Sequence, residues 1–501
     1  MTGIFDSGAP EPAPSSFNLA DYVLRQVGSC ADKPALEVHG PEKVEVWLYR
    51  DIAEAVCRTA GGLRAAGLNT GDRVLLRLGN TVDFPIVYLG ALWAGLVPVP
   101  TSAALTQREV DWIARDLAPL LCIAEPGLPR PENVTCVSPE ALRSSTAQSA
   151  PHMGDPNRPG YIIYTSGSSG TPRAVLHAHR AIWARRMMYE GWYGLSGADR
   201  VFHVGAFNWT YTLGVGLLDP WAHGATALIR TAEVTNPELP ELLARSRATI
   251  LAAAPGVLRQ MLKSRDRISL PDLRHVLSAG EALSPRLRAA WKSATNTEIY
   301  EALGMSECST YISAHPGRQA PDGYAGYVQQ GRRVAVLDPA GRPLPFGSPG
   351  TLGIHRRDPG LMLGYLTSPD TETPRHQDAW FDTGDRAIMR ADGAVQYLGR
   401  DDDMMNAGGY RVAPLEVEAA FATLPGLGEC AATSVEIKAD AQVIALFYTG
   451  FSLDDARLRA HAEANLARYK QPRVFIHCES LPHNANGKLN RKALRRTFEA
   501  L

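Results

Sequence analysis

The run Tyr161-Ile-Ile-Tyr-Thr-Ser-Gly-Ser-Ser-Gly-Thr-Pro-Arg173 joins an apolar, strand-like stretch to a loop of small hydroxylated residues and glycines ending on a cation. Such a loop can turn several backbone N–H groups and hydroxyls toward one anion. Arg173 adds a permanent charge and a planar fork of donors suited to phosphate oxygens. The common nucleotide-binding P-loop is excluded, because its Gly-Lys-Ser/Thr ending is missing. Composition alone leaves a flexible Gly/Ser connection equally open.

Three further places could share in that chemistry. Ser306-Glu307 sets a hydroxyl beside a carboxylate after an apolar segment; the pair could hold phosphate and Mg²⁺, an ion that takes few protein ligands and keeps several waters. Trp380-Phe381-Asp382-Thr383-Gly384-Asp385 ends in a tight turn presenting a carboxylate able to accept from both hydroxyls of a ribose. Lys488 stands on the turn-rich loop that begins at Pro482. Each alone has a plainer reading: a solvated Ser-Glu pair, a turn Asp beside Gly, a surface lysine.

The elements that must position these residues alternate along the chain. Arg73–Leu78, Tyr161–Thr165, Thr249–Ala253 and Val276–Ser278 read as strands. Tyr49–Ala66 and Pro285–Ala294 read as helices, the second entered through a Ser284 cap and Pro285 at its first position. The alternation predicts an α/β sheet with helices on its faces. Residues up to about Phe17 are rich in Pro, Ser and Gly and read as a loose tail. At Gly399-Arg400-Asp401-Asp402-Asp403 a polar cluster interrupts the pattern, and basic residues crowd the C-terminal end of the chain. The expected division is residues 1–400 as an N-terminal domain and 401–501 as a small C-terminal one; a long surface loop within one domain is the alternative.

A chain of 501 residues exceeds a single core and leaves room for both domains. With 51 Lys+Arg against 52 Asp+Glu, a surface built to coat nucleic acid is not expected. The seven cysteines are scattered, without zinc-ligand spacing, as suits a reducing compartment. The N-terminus has neither the basic start nor the apolar run of a signal peptide. Phe84–Pro100, the most apolar stretch, is short and broken by Gly and Pro, so a core helix running into a strand is expected rather than a membrane span. The expected location is the cytoplasm.

In order and spacing the four motifs resemble the adenylate-forming superfamily, which includes acyl-CoA synthetases, adenylation domains of nonribosomal peptide synthetases and firefly luciferase. The resemblance runs from about Ala20 to Leu501. It implies a large N-terminal α/β domain with layered sheets and a small mobile C-terminal α+β domain, with ATP, Mg²⁺ and coenzyme A as cofactors. On this resemblance Thr165, Ser166, Gly167, Ser168, Ser169, Gly170, Thr171 and Arg173 grip the β and γ phosphates. Ser306 contacts the α-phosphate and Glu307 the Mg²⁺. Gly280-Glu281-Ala282 and Glu301-Ala302-Leu303 enclose adenine, and Asp385 and Arg400 hold the ribose. Lys488 bridges substrate carboxylate and phosphate during adenylation. Asp402 is the hinge, and Gly408-Gly409 serves the coenzyme A side after the C-terminal domain has rotated. The chain departs from the family at Arg173 (usually Lys), Ala174 (usually Gly), Ser306 (commonly Thr) and Leu303 (often Tyr).

Phe207-Asn208-Trp209-Thr210-Tyr211 looks most like the matching stretch of benzoate-type CoA ligases, which implies an acyl pocket lined by Trp209, Tyr211, Ala254, Ala279, Gly304, Met305 and Tyr311. Trp209 and Tyr211 could equally be core. Cys308–His315 is one residue shorter than in benzoate ligases and lacks their pocket histidine. The expected substrate is an aryl or cyclic carboxylic acid, with medium-chain aliphatic acids as the alternative. An α-amino acid is disfavoured, since no acidic residue stands where amino-acid-activating domains hold the ammonium group. The expected thiol acceptor is coenzyme A, with a carrier protein as alternative. Monomer and homodimer both stay open, and neither nucleic acid nor membrane is an expected partner. A nucleotide-binding regulator without catalysis is the competing class, kept alive by Arg173.

Overall fold

The computed structural model describes residues 2–499 apart from 166–172, 264, 367–378, 408–409, 439–440, 467 and 484–487. Among these residues the main sheet has 14 strands. Its middle is parallel, with Pro34–His39, Thr226–Arg230, Arg200–His203, Ile250–Ala252, His275–Ala279 and Glu298–Met305 side by side in that order. Ile250, Leu251 and Ala252 are all fully buried, because apolar clusters cover both faces of this region. Past Met305 the sheet turns antiparallel, through Ser309–Ser313, Gly326–Val328, Ala394–Arg400, Trp380–Met389, Pro349–His355 and Arg333–Leu337 to Ile4–Asp6.

That change of direction fixes where chemistry can sit. Ser306 and Glu307 lie in the turn between the last parallel strand and the first antiparallel one, and Gly280 follows the carboxyl end of His275–Ala279. Crevices outside the carboxyl ends of strands, where the sheet order changes, are where open α/β sheets bind ligands. A smaller sheet pairs Pro159–Thr165 with Arg173–Ala178 and the latter with Gly364–Leu366, setting Thr165 opposite Arg173. A third, parallel sheet runs Val97–Pro100, Arg73–Arg77, Leu121–Ala124, Cys136–Val137.

Tyr49–Ala65 buries Ile52, Val56, Ala60 and Leu63 at helical spacing, packing on Asp83–Trp93, which is buried along nearly its whole length. Phe84–Pro100 is thus a core helix followed by the strand Val97–Pro100, and no helix among the described residues is long and apolar enough to cross a membrane. Pro285–Thr295 starts where Ser284 Oγ accepts from the Leu287 amide at 3.2 Å and stops at Asn296 in the left-handed region.

A smaller C-terminal domain has its own cores. Helices Pro414–Phe421, Asp455–Asn465 and Arg491–Glu499 accompany the sheet Leu427–Lys438, Ala441–Gly450, Val474–His477, with Val417, Phe421, Leu446 and Leu458 buried together.

The opening segment is not a loose tail. Ile4–Asp6 pairs antiparallel with Arg333–Ala335, and Phe17 is buried and bridges Gly154. Three residues, Ile-Phe-Asp, suffice for an edge strand when a finished neighbour offers free backbone groups, and the Pro-rich composition that follows hides this.

Arg77, Arg185 and Arg332 are buried in the large domain, and the last two are each paired with an aspartate. Arg332 and Asp358 pair at 2.5 Å with side-chain exposures of 0% and 1%, and Arg185 pairs with Asp219, exposed 8% and 0%. Removing one partner from such a pair strands a charge. Asp358→Ala is therefore expected to lower unfolding stability in urea by about 3–5 kcal/mol, whereas the double change Arg332→Met with Asp358→Leu loses much less.

Candidate active site

Between the carboxyl ends of the parallel strands, the antiparallel wing and the C-terminal domain lies a continuous cleft of ≈ 3520 Å³. Single small-molecule sites are several-fold smaller, so the cleft has room for more than one ligand. Thr165, Arg173, Ser306, Glu307, Asp385, Arg400 and Lys488, which are far apart in sequence, all face it. So do Gly280-Glu281-Ala282, Glu301-Ala302-Leu303, Gly304, Met305 and Trp209.

The turn bearing Ser306 and Glu307 is held from three sides. His177 Nε2 donates to the Ser306 carbonyl at 2.7 Å while its ring stacks on Tyr161 at 4.8 Å. Burial pushes His177 down to about 4, so the ring is neutral and acts as a donor, not a cation. Arg185 reaches Ser309 Oγ at 2.5 Å, at a residue held in the left-handed region. Arg332 donates to the Thr310 carbonyl at 2.9 Å. Gly304 is required at the bulge before the turn, since a Cβ there would lie 2.7 Å from Thr310 Cα.

Tyr365 links two of the expected phosphate-site residues. Its hydroxyl donates to Glu307 Oε1 at 2.8 Å, and its ring lies under the Arg173 guanidinium, 5.3 Å from Cζ to centroid. A planar guanidinium stacks where an ammonium would only touch, which gives the Arg-for-Lys departure a physical partner.

On the opposite wall Asp385 faces Arg400 across paired strands, 3.2 Å apart, with Tyr311 Oη at 3.4 Å. Burial raises the Asp385 carboxyl to about 6, with Arg400 opposing the shift. The expected tight turn is instead part of the strand Trp380–Met389: Gly384, at φ +70, sits where the pairing with Pro349–His355 shifts register, and a Cβ there would lie 2.9 Å from Arg400 Nη2. Gly280, at φ +96, does the same service at the centre. Its bare face takes the Trp209 indole at 3.0 Å and the Lys488 Cε at 3.6 Å from where a Cβ would lie. Lys488 is drawn toward losing its proton by burial, opposed by Glu281 and Asp385.

Glu281 and Glu301 differ. Glu281 Oε1 is buried without a protein partner among the described residues, so an acceptor is left for a ligand. Glu301 is instead used by the fold: Oε1 accepts from the Leu283 amide at 2.9 Å, and burial raises its carboxyl to about 7.

Four expected acyl-pocket residues do not reach the cleft wall. Tyr211 is buried behind Trp209, 5.1 Å between ring centroids, with its hydroxyl donating to the Leu277 carbonyl at 2.8 Å. Tyr311 is fully buried beside Asp385, while Ala254 precedes the helix Pro255–Leu262 and Ala279 packs with Tyr211. Ala279 and Tyr311 lie on strands buried along nearly their whole length, while Tyr211 and Ala254 stand at the starts of helices packed into the core. Ser166 to Thr171 and Gly408-Gly409 lie outside the described residues, and Asp402 belongs to the short helical turn Asp401–Asp403. His177, Tyr365, Arg185 and Arg332 were not legible as site residues, since each acts through contacts with residues far away in sequence.

The donor set fits a nucleotide with a phosphate-borne Mg²⁺. Among the described residues no group of three His, Cys, Asp or Glu could cage a metal, and one carboxylate such as Glu307 suffices for an ion that keeps phosphate and water ligands.

The AMP-binding enzyme family model matches residues 23–366, and that for the AMP-binding enzyme C-terminal domain matches 416–488. The chain is 27% identical to the human mitochondrial acyl-coenzyme A synthetase ACSM2A, over 97% of this chain and 91% of that protein. It is 28% identical to the 3-hydroxybenzoate–CoA/4-hydroxybenzoate–CoA ligase of Thauera aromatica, covering 90% and 92%. The crystal structure of the anthranilate CoA ligase AuaEII with anthranoyl-AMP superposes with TM-score 0.88 at 25% identity, covering 98% and 99%. The chain belongs to the AMP-binding enzymes, the adenylate-forming superfamily. It is an ATP-dependent ligase of the acyl-CoA synthetase class, using ATP, Mg²⁺ and coenzyme A.

Tyr365→Phe keeps the ring under Arg173 and loses the bond to Glu307; Tyr365→Leu loses both. Steady-state assays are expected to show kcat down about tenfold in the first and about a hundredfold in the second.

Proposed function

We propose that the protein activates an aryl carboxylic acid as its adenylate and passes the acyl group to coenzyme A. The observation that carries this is the meeting at Gly280, where the Trp209 ring and the Lys488 side chain pack on one bare backbone face. A flat aromatic wall ends where the cation stands, so an acid lying along Trp209 would present its carboxylate to Lys488. Gly304 and Met305 leave the remaining wall small and apolar, which suits a compact ring. Likeness to a hydroxybenzoate ligase and an anthranilate ligase supports the same class.

In this reading Lys488 and Arg173 set positive charge where carboxylate and phosphate approach, the fixed electrostatic help such a step needs. Ser306 donates to phosphate. Glu307, oriented by Tyr365, would hold Mg²⁺, which when bound supplies further neutralisation of phosphate charge. Asp385 and Arg400 take the ribose, and the backbone of 280–282 and 301–303 encloses the base. Thr165 to Thr171 cradle the outer phosphates. Residues 1–400 form the binding domain and 401–501 the part that carries Lys488, turning about Asp402 to bring Gly408-Gly409 to the coenzyme. A cytoplasmic monomer or homodimer is part of the proposal.

The test is thioester formation with ATP, Mg²⁺ and coenzyme A across aryl, alicyclic and aliphatic acids, with pyrophosphate release in parallel. The expected result is highest kcat/KM for an aryl acid, and a fall of about 10²–10³-fold in pyrophosphate release for Lys488→Ala. A medium-chain preference would overturn the aryl reading, and pyrophosphate without a coenzyme A thioester would replace coenzyme A by a carrier-protein thiol.

A pH dependence arises from Asp385, raised to about 6. Above that value the carboxylate is ionised and accepts from the ribose hydroxyls; below it the acid form takes over. KM for ATP is expected to rise as pH falls through this value, approaching about tenfold per pH unit, and Asp385→Asn should flatten the profile at a high KM.

A further inference from the structure

Lys488 reaches Gly280 from a different domain, so something must hold its turn in place. An isolated bridge joins His483 to Leu489, the residue after Lys488. His483 Nε2 donates to Glu429 Oε1 at 3.1 Å. Glu429 stands near the start of the strand Leu427–Lys438, its amide accepted by Thr449 Oγ1 at 2.9 Å. The same Oε1 pairs with Arg259, on the helix Pro255–Leu262 of the large domain. Arg259 also lies 3.3 Å from Glu281. A second strut runs beside it, from Arg286 Nη1 to the Leu427 carbonyl at 2.5 Å.

These groups form one chain of contacts, Arg259 to Glu429 to His483 to the turn of Lys488, and all its charges are partly buried at the cleft margin. Isolated exposed ion pairs contribute little. Here a single carboxylate is shared by two donors from different elements, and the guanidinium is shared by two carboxylates, so the geometry of each link constrains the next. Glu429 and Arg259 meet across the interface, and Glu429 is the one that also holds His483 beside Lys488; nothing in its own strand requires a charge at that position.

We propose that Glu429 is a positioning residue: by joining Arg259 to His483 it docks the turn of Lys488 against Gly280 and so serves adenylation, not thioester formation. This rests on the reading of Lys488 as the adenylation lysine. The groups facing Glu429 are Arg259 and His483, with Glu281 beyond Arg259; Glu429→Gln keeps the shape and removes the charge that both cations share.

The experiment separates the two half-reactions and reads the turn directly. ATP–pyrophosphate exchange, with the acid that gives the best rate in the panel, is expected to fall about tenfold in Glu429→Gln, while thioester formation from chemically prepared acyl adenylate and coenzyme A stays within about twofold. Exchange in the double variant Glu429→Gln with Arg259→Gln is expected to fall little further than in the worse single variant, because both break one path. Labelling of Lys488 by acetic anhydride, followed by mass spectrometry, is expected to rise about tenfold in Glu429→Gln as the turn undocks. Unchanged exchange, an equal fall in both half-reactions, or unchanged Lys488 labelling overturns the proposal. Lys488→Ala run alongside tells the two readings apart: if it leaves exchange intact, the role given to Lys488 fails, and the labelling result still decides whether Glu429 docks the turn.

Discussion

The buried pairs Arg185–Asp219 and Arg332–Asp358 are the constraint on which the site depends. Each arginine is neutralised by its aspartate and directs a remaining donor to the start of the strand that leaves the turn of Ser306 and Glu307, one to Ser309 Oγ and one to the Thr310 carbonyl. A non-glycine residue in the left-handed region is strained, and persists only where surroundings overdetermine it. Burying four charges to hold one turn is expensive relative to apolar packing. What the arrangement gives in return is a hydroxyl and a carboxylate fixed at the place where the sheet changes direction.

Around that turn the cleft is assembled from three bare backbone faces. Gly280 lets an aromatic ring and a lysine meet, Gly304 makes the bulge, and Gly384 admits the Arg400 guanidinium to Asp385. At Gly304 a side chain would collide with backbone, and at Gly280 and Gly384 the positive φ itself favours glycine. The chemistry-bearing groups therefore come from distant parts of the sequence, while the spaces they enter are set by residues with no chemistry of their own.

The same division explains which residues were legible in the sequence. Arg173, Ser306, Glu307, Asp385 and Lys488 each had a plainer local reading and became legible through the order and spacing of their motifs, while the α/β alternation came from periodicity. Tyr211 and Tyr311 misled because aromatic type says nothing about which face of an element they occupy; the hydroxyls of both are taken up inside the large domain. Tyr365 and His177 were invisible for the opposite reason, being ordinary strand residues whose importance comes from the strands beside them. Glu429 and Arg259 lie in different domains, and no local pattern ties one to the other. The N-terminal strand was missed because its partner lies at the far side of the large domain's sequence.

The distance between those two strands in the sequence also bears on how the chain is made. Ile4–Asp6 leaves the ribosome before the parallel core, yet its neighbour Arg333–Leu337 comes after all of that core. At about 5–20 residues per second the segment waits for roughly tens of seconds, and the sheet's outer edge cannot be finished until then. The N-terminal residues would serve as the closing seam of the large domain during synthesis, so a bulky fusion at that end would burden the last step of assembly and leave the earlier ones alone.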